Sequence, residues 1–184
     1  MKAWSILLPV LLCACGGGEV PPARVGRGQA GHDEQLLDEN KRIAQHEALD
    51  IDGWIARQGL HMERTGTGVR IQLVEDSVGV NARPLQTAHI RFRVSLIDGT
   101  ECYASAPGAG EDFLIEQDNV ESGLHEAIQY LSPGDSAIVV IPSHRAYGLA
   151  GDRSKIPMRS TVIYHLRLIG LEDAEGSGAS RVLR

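Results

Sequence analysis

The spacing of apolar residues changes near residue 68, and the change separates a helical segment from a run of strands. Before it, apolar side chains recur every three to four residues through "HDEQLLDENKRIAQHEALDIDGWIARQGL", as on one face of a helix. Asp33 is a candidate N-cap and Gly59 a candidate end. We therefore predict one or two helices across 34–58, which can be solvated, dock on the following domain, or pair with a second copy of the chain.

Beyond Gly68 the apolar residues alternate with polar ones, as in half-buried strands. The alternation predicts strands that begin near Val69, Ile90 and Val162, and the short apolar runs "FLI" at 113–115 and "SAIVVIP" at 136–142 add two candidates. "DG" at 98–99 predicts a tight turn, and Leu124, Ile128 and Leu131 predict a short helix that ends before "PG". One helix among several strands indicates an α+β fold, an antiparallel sheet packed on that helix.

The first residues are typical of an export signal. Lys2 precedes an apolar stretch that is shorter than the ~20 residues a membrane-spanning helix needs. "LCAC" at 12–15 resembles the bacterial lipobox, which implies a lipoprotein signal peptide at 1–14, lipidation of Cys15 and a membrane anchor in the cell envelope. Gly16 is not an acidic retention signal, which favours the outer membrane. A plain secretory signal that holds two cysteines is the alternative.

The remaining segments follow from composition. The Gly/Pro-rich stretch 15–32 predicts a flexible tether, followed by the helical segment at 33–60 and the folded domain at 63–172. The polar tail at 173–184 is typical of disorder. With Cys13 removed and Cys15 acylated, Cys102 is the one cysteine left, so we expect no internal disulfide.

Charge and motifs exclude several classes of function. The formal net charge of -6 argues against a nucleic-acid partner, because phosphate binding needs a cationic surface. Signatures of hydrolases, nucleotide-binding loops and zinc proteases are missing. His125, His144 and His165 do not share metal-ligand spacing and are expected at the surface or on an edge strand. We predict neither a metal nor a cofactor.

Residues 120–171 resemble the FKBP-type peptidyl-prolyl cis-trans isomerases. The resemblance rests on the short helix after Val120, the "LSPGD" turn at 131–135, "AYG" at 146–148, "IP" at 156–157 and an aromatic residue at Tyr164. Weaker similarity extends back to about residue 69. The resemblance implies an antiparallel β-sheet curled around one short helix, with a shallow apolar pocket between them. The lipobox, the N-terminal helix and "DGTECY" at 98–103 are also similar to FKBP lipoproteins associated with gliding motility in Bacteroidota.

The resemblance also implies which residues form the pocket. Its expected members are Phe92, Phe113, Val120, Glu121, Leu124, Tyr147, Ile156 and Tyr164, with Cys102 and Tyr103 at the rim. Leu124 is the floor, where the family usually has a tryptophan, and Tyr103 stands where it usually has an aspartate. Glu121 would offer its backbone N–H and Tyr147 its hydroxyl to a substrate carbonyl. Tyr147 and Ile156 would hold the loop "AYGLAGDRSKIP" over the pocket.

The reaction that the resemblance implies needs no nucleophile. An X–Pro bond crosses a barrier of ~18–20 kcal/mol because its twisted amide loses resonance, and an apolar pocket favours the twisted form by differential binding. Two interpretations stay open. The chain is an isomerase that assists the folding of proline-containing exported polypeptides, or a non-catalytic chaperone or peptide-binding module whose pocket has drifted.

Overall fold

The structure is a computed structural model that describes residues 27–173, with side chains from residue 33 onward. The signal peptide, the lipidation of Cys15, most of the predicted tether and the tail from 174 lie outside the described residues. The chain divides into two compact units, 1–39 and 40–184, and the boundary falls within the first helix. None of the helices that the structure describes combines the length and apolar character needed to cross a membrane.

The first helix, α1, spans Arg27–Gln58 and is a single helix. It begins six residues before the cap predicted at Asp33, so residues 27–32 are helical rather than part of a flexible tether. No proline follows Pro22 in this region, and extending an existing helix through its two glycines costs about 1 kcal/mol each, far less than starting a new one. The helix ends as predicted, because Gly59 follows it with a φ of +66°, in the left-handed region that favours glycine.

The second unit is built on a curled antiparallel sheet, which confirms the predicted fold class. Its strands lie in the order β1-β2-β6-β7-β3-β4, and β5 pairs with β3 beside β4. The two-residue strand β1 and the early start of β3 were not predicted, because neither has an alternating apolar pattern. The strands are β1 (Glu63–Arg64), β2 (Arg70–Glu75), β3 (Gln86–Leu96), β4 (Glu101–Ala104), β5 (Glu111–Leu114), β6 (Ser136–Ile141) and β7 (Val162–Asp173).

Strands β3 and β7 form the longest pairing in this sheet. Their antiparallel register places Val94 opposite Tyr164 and Phe92 opposite Leu166. Directly opposed residues in an antiparallel pair point to the same face of the sheet. The register therefore brings aromatic and aliphatic side chains from distant parts of the sequence together on the concave face. Asp173, predicted to open the disordered tail, is the last residue of β7.

The short helix α2 (Ser122–Ile128) packs on that concave face. Gly123, in its first turn, allows the close approach, because a Cβ there would lie 2.3 Å from the Cγ2 atom of Ile141 on β6. Leu124, Ala127 and Ile128 are buried in the main core between helix and sheet. The predicted helix thus forms at the expected place, and its N-terminal end lies against the sheet.

The opposite face of the sheet is covered by the part of α1 that belongs to the second unit. Ile51 of α1 is fully buried with Val140 of β6 and Ile163 of β7 in a separate apolar cluster. Arg70 of β2 is also buried, and its Nη2 atom lies 2.7 Å from Oδ1 of Asp52. Of the three alternatives that the sequence left open for the helix, residues 40–58 therefore dock on the following domain. This covering also buries Ile163, although His165 and Arg167, which follow it on the same face of β7, are exposed.

If this docking stabilises the domain, Ile51→Ala should lower the free energy of unfolding by about 2–5 kcal/mol, the usual loss for truncating a buried isoleucine. The control is Leu49→Ala on the same helix, because Leu49 is 68% exposed whereas Ile51 is 0% exposed. Its effect should stay within about 0.5 kcal/mol. Urea unfolding followed by circular dichroism measures both. Equal effects of the two variants would contradict the docking described.

Candidate functional site

A pocket of about 490 Å³ opens on the concave face, between the sheet, the entry to α2 and the segment that joins β6 to β7. That segment, residues 142–161, is called the pocket loop below. The lining is mainly aromatic and aliphatic, and the charged side chains in it are all acidic. Its members are Ile90, Phe92, Val94, Tyr103, Ala104, Glu111, Asp112, Phe113, Asn119, Val120, Glu121, Leu124, Ala146, Tyr147 and Tyr164.

The structure brings most of the predicted site residues together in this lining. Those present are Phe92, Phe113, Val120, Glu121, Leu124, Tyr147 and Tyr164, together with Tyr103 of the rim. Two predicted members do not line the pocket. Ile156 belongs to the pocket loop, but its side chain is buried in the main core, and Cys102 is buried with its Sγ atom 3.7 Å from the Lys155 carbonyl oxygen.

Aromatic contacts hold the apolar walls in place. The rings of Phe92 and Tyr164 lie with their centroids 5.9 Å apart and tilted by 51°, a geometry typical of favourable aromatic pairs. Phe113 meets His125 edge-on at 5.5 Å. His125 was predicted at the surface, yet it is buried, because its Nδ1 atom accepts a hydrogen bond from the Glu116 N–H and its Nε2 atom lies 3.0 Å from the Asp118 carbonyl oxygen. This histidine fixes the wall and the chain before α2.

A carboxylate and two tyrosine hydroxyls meet inside the pocket. The Tyr164 hydroxyl donates to Oε1 of Glu121 at 2.9 Å. Burial raises the pKa of the Tyr147 hydroxyl well above its usual value, and its hydrogen bond to Glu121 raises that pKa further. Burial and the negative charge of Glu121 raise the pKa of Tyr164 in the same direction. Both hydroxyls therefore stay protonated at neutral pH and serve as hydrogen-bond donors.

The backbone at the entry to α2 offers another donor. Glu121 is the N-cap residue, and its carbonyl oxygen accepts from the N–H groups of Leu124 and His125. Its own N–H donates to no group within residues 33–173. Because an unpaired N–H next to an apolar pocket favours a carbonyl acceptor, this group is available to a bound peptide.

The tip of the pocket loop, residues 152–156, is held against β4 by two charged side chains. Oδ1 of Asp152 accepts from the N–H groups of Ser154 and Ile156, each at 2.8 Å, and Oδ2 accepts from the Tyr103 hydroxyl. Lys155 donates from Nζ to the Cys102 carbonyl oxygen at 2.7 Å and lies over the Tyr103 ring. Asp152 and Lys155 thus hold the loop in addition to Tyr147 and Ile156, which alone were predicted to do so.

The sequence contains a turn motif that indicates the role of Asp152 in holding the loop, and the prediction missed it. An aspartate side chain that binds backbone N–H groups a few residues ahead is a recurrent turn motif, and "DRSKI" has that spacing. Glu111 and Asp112 of β5 line the pocket through a register that only the folded sheet fixes.

Among the residues that the structure describes, no group of three histidine, cysteine, aspartate or glutamate side chains is arranged to hold a metal ion.

Comparison with known proteins identifies the family of this domain. Residues 79–169 match the model of the FKBP-type peptidyl-prolyl cis-trans isomerase family. The FKBP-type peptidyl-prolyl cis-trans isomerase FkpA of Escherichia coli (strain K12) is 29% identical over 118 residues, or 64% of this chain and 43% of FkpA. The crystal structure of FkpA superposes with a TM-score of 0.62 and 24% identity over 82% of this chain and 75% of that chain, which shows the same fold.

Two further proteins are similar to this chain over the same domain. A probable FKBP-type 25 kDa peptidyl-prolyl cis-trans isomerase of Pseudomonas aeruginosa is 30% identical over 152 residues, 83% of this chain and 64% of the relative. The outer membrane protein MIP of Legionella longbeachae is 26% identical over 108 residues, 59% of this chain and 46% of that protein. The domain that holds the pocket belongs to the FKBP-type peptidyl-prolyl cis-trans isomerase family, as the sequence resemblance predicted. The chain spans less than half the length of FkpA.

The hydrogen bond from Tyr103 gives a testable acid dependence. Desolvation opposes ionisation of Asp152, but the Tyr103 hydroxyl and the N–H groups of Ser154 and Ile156 outweigh it and lower the pKa from 3.8 to about 2. A carboxyl whose pKa is lowered by folding stabilises the fold above its ordinary pKa and loses that contribution as the pH falls through the folded value. The loop contact is therefore complete above about pH 4 and fades towards pH 2.

Tyr103→Phe should move the pKa of Asp152 back up towards 3.8, because the substitution removes one donor to the carboxylate. A carboxyl-carbon NMR titration of Asp152 in the wild type and the variant measures the shift. Tyr130→Phe is the matched control, since Tyr130 is exposed and lies outside the lining. Titration of Asp152 at the same pH in wild type and Tyr103→Phe would show that the hydroxyl does not stabilise the carboxylate.

Proposed function

We propose that this pocket binds X–Pro segments of polypeptides and catalyses their cis–trans isomerisation. The observation that carries the proposal is the combination, in an FKBP-family domain, of aromatic walls with hydrogen-bond donors at one side of the cavity. The Tyr147 hydroxyl and the Glu121 N–H are the two donors, and Leu124 is the apolar floor.

The geometry suits a reaction that breaks no bond. The planar X–Pro amide is more polar at its carbonyl than the twisted transition state, because twisting removes amide resonance. Walls of Phe92, Phe113 and Tyr164 exclude water from the bound segment and so disfavour the planar form relative to the twisted one. Donors placed for the rotated carbonyl add to this effect. Each tenfold gain in rate requires only ~1.4 kcal/mol of such differential binding.

A second candidate is a chaperone or peptide-binding module without catalysis. One observation favours it: the Glu121 carboxylate lies close enough to the Tyr147 hydroxyl to raise its pKa, so a substrate carbonyl must compete with a carboxylate for that donor. The leucine floor at Leu124 is also smaller than the tryptophan usual in the family. The presence of Tyr147 and Tyr164 in the lining supports the isomerase, because apolar walls with a donor beside them can favour the twisted amide over the planar one.

We further propose that the chain acts in the bacterial cell envelope on exported polypeptides, anchored by a lipid on Cys15. "LCAC" at 12–15 and the apolar stretch before it support this location. The match to a Legionella longbeachae protein described as an outer membrane protein is consistent with it. A dimer formed through the N-terminal helix stays a prediction.

Tyr147 provides the most informative variants for the catalytic proposal. Tyr147→Phe should lower kcat/KM about fivefold, since it removes one hydrogen bond worth about 1 kcal/mol and keeps the ring. Tyr147→Ala should lower kcat/KM by more than tenfold, because it also removes a wall of the pocket. The measurement is proline-limited refolding of a test protein, whose uncatalysed phase takes tens to hundreds of seconds at 25 °C.

The control for these variants is Tyr130→Phe, which changes an exposed tyrosine outside the pocket and should leave the rate unchanged. Circular dichroism shows whether each variant is folded. The isomerase proposal fails if the folded wild type does not accelerate refolding at any concentration. Suppression of client aggregation by the same preparation would then support the binding module instead.

For the anchor, Cys15→Ala should release the protein from the membrane fraction, because no other lipid attachment is proposed. Fractionation of cells that express the wild type or the variant, followed by immunoblotting, measures the distribution. Cys13→Ala is the matched control and should remain with the membrane, since Cys13 precedes the proposed cleavage site. The lipid anchor is excluded if the Cys15 variant sediments as completely as wild type.

A further inference from the structure

Glu47 of α1 makes an unusual set of contacts with both ends of the pocket loop. Its Oε1 atom accepts from the Ser143 N–H at 2.6 Å and from the Thr161 hydroxyl at 2.7 Å. Its Oε2 atom accepts from the Ser143 hydroxyl at 2.9 Å. Ser143 and Thr161 are both buried. Three charge-assisted hydrogen bonds to one carboxylate are individually stronger than neutral ones, so Glu47 joins the two ends of the loop firmly.

These contacts lie at the base of the segment that completes the pocket. Ser143 directly follows β6 and Pro142, and Thr161 directly precedes β7. Between them the loop carries Ala146 and Tyr147 into the lining. A small change in the separation of the two ends would therefore move the Tyr147 hydroxyl relative to the wall residues on the sheet.

The tip and the base of the loop are held by different elements. Asp152 and Lys155 hold the tip against Tyr103 and Cys102 of β4. The base is held by Glu47, which belongs to the helix and lies outside the residues that match the family model. The position of Tyr147 therefore depends on a contact that the FKBP-type domain itself does not supply.

The helix does not need Glu47 in order to stay docked. Ile51 is fully buried against Val140 and Ile163, and Asp52 binds the buried Arg70. Because these contacts hold α1 independently, removal of the Glu47 carboxylate leaves the helix in place and releases the base of the loop. This separation of roles makes the function of Glu47 testable.

We propose that Glu47 is a positioning residue for the pocket: it fixes the base of the pocket loop and thereby the placement of Tyr147 in the lining. The N-terminal helix is then part of the working site and not only a connection to a membrane anchor. The inference rests on the proposed isomerase function for its effect on rate, while its effect on the loop is measured independently of activity.

The experiment compares the full chain with Glu47→Ala, Glu47→Gln and the control Asp50→Asn. Asp50 is exposed on the same helix, one turn further on, and makes none of these contacts, so its variant changes the charge of α1 without releasing the loop. Hydrogen exchange is followed at the Gly148 and Arg159 amides, which are hydrogen-bonded within the loop, and at amides of the β6–β7 pairing. The rate of catalysed X–Pro isomerisation is measured on the same samples.

Glu47→Ala should speed exchange at Gly148 and Arg159 about tenfold while the β6–β7 amides keep their protection. It should also lower kcat/KM about three- to tenfold, the scale expected for losing about one net hydrogen bond. Glu47→Gln should give a smaller change of the same kind, because its amide oxygen still accepts one hydrogen bond. Asp50→Asn should match wild type in both measurements.

Three results would overturn the inference. Unchanged loop exchange in Glu47→Ala would show that the carboxylate does not hold the loop. Faster exchange spread equally through β6 and β7 would show that Glu47 only stabilises the fold. A released loop with unchanged kcat/KM would show that the pocket does not depend on it. If wild type shows no catalysis, the proposed function fails, and the exchange data alone then decide whether Glu47 holds the loop.

Discussion

The antiparallel pairing of β3 with β7 is the constraint on which the pocket depends. It places Phe92 and Val94 beside Tyr164 and Leu166, although some seventy residues separate the two strands in the sequence. The concave face of this pair forms the back of the pocket, and α2 packs on the same face through Leu124 and Ile128. On the opposite face, Ile163 of β7 packs in one apolar cluster with Ile51 of α1. One pairing thus connects the wall of the pocket to the helix that covers the outer face.

The polar groups of the pocket are arranged around Glu121. Its carboxylate accepts a hydrogen bond from the Tyr164 hydroxyl and lies near the Tyr147 hydroxyl, and its backbone N–H donates to no group within residues 33–173. Burial is the main cause that raises the pKa of both tyrosines, and the negative charge of Glu121 raises it further, since ionisation of either would place two negative charges together in a partly dry cavity. The same carboxylate would compete with the carbonyl of a bound peptide for the Tyr147 hydroxyl, so Glu121 orders the site and would weaken Tyr147 as a donor to a ligand.

The sequence predicts the fold because the alternation in β3 and β7 and the apolar spacing of α2 are local patterns. Most of the pocket was predicted only through the resemblance to the FKBP-type family, which rests on short motifs such as "AYG" at 146–148. Contacts that depend on tertiary placement were missed. Glu47 is one acidic residue among many on a polar helix, and its partners Ser143 and Thr161 lie about a hundred residues away. His125 was predicted at the surface, but its hydrogen bonds to the segment before α2 bury it.

The central claim is that the pocket lowers the barrier to X–Pro rotation, and exchange NMR on short peptides tests it most directly. Peptides with leucine, lysine or glutamate before proline are mixed with a small fraction of the full chain. Uncatalysed interconversion takes tens to hundreds of seconds, so no cis–trans exchange peaks arise within a mixing time of about half a second. The account predicts exchange peaks for at least one peptide when the protein is present, and their loss with Tyr147→Ala. Peptide binding to the folded domain without exchange peaks for any of the three would contradict it.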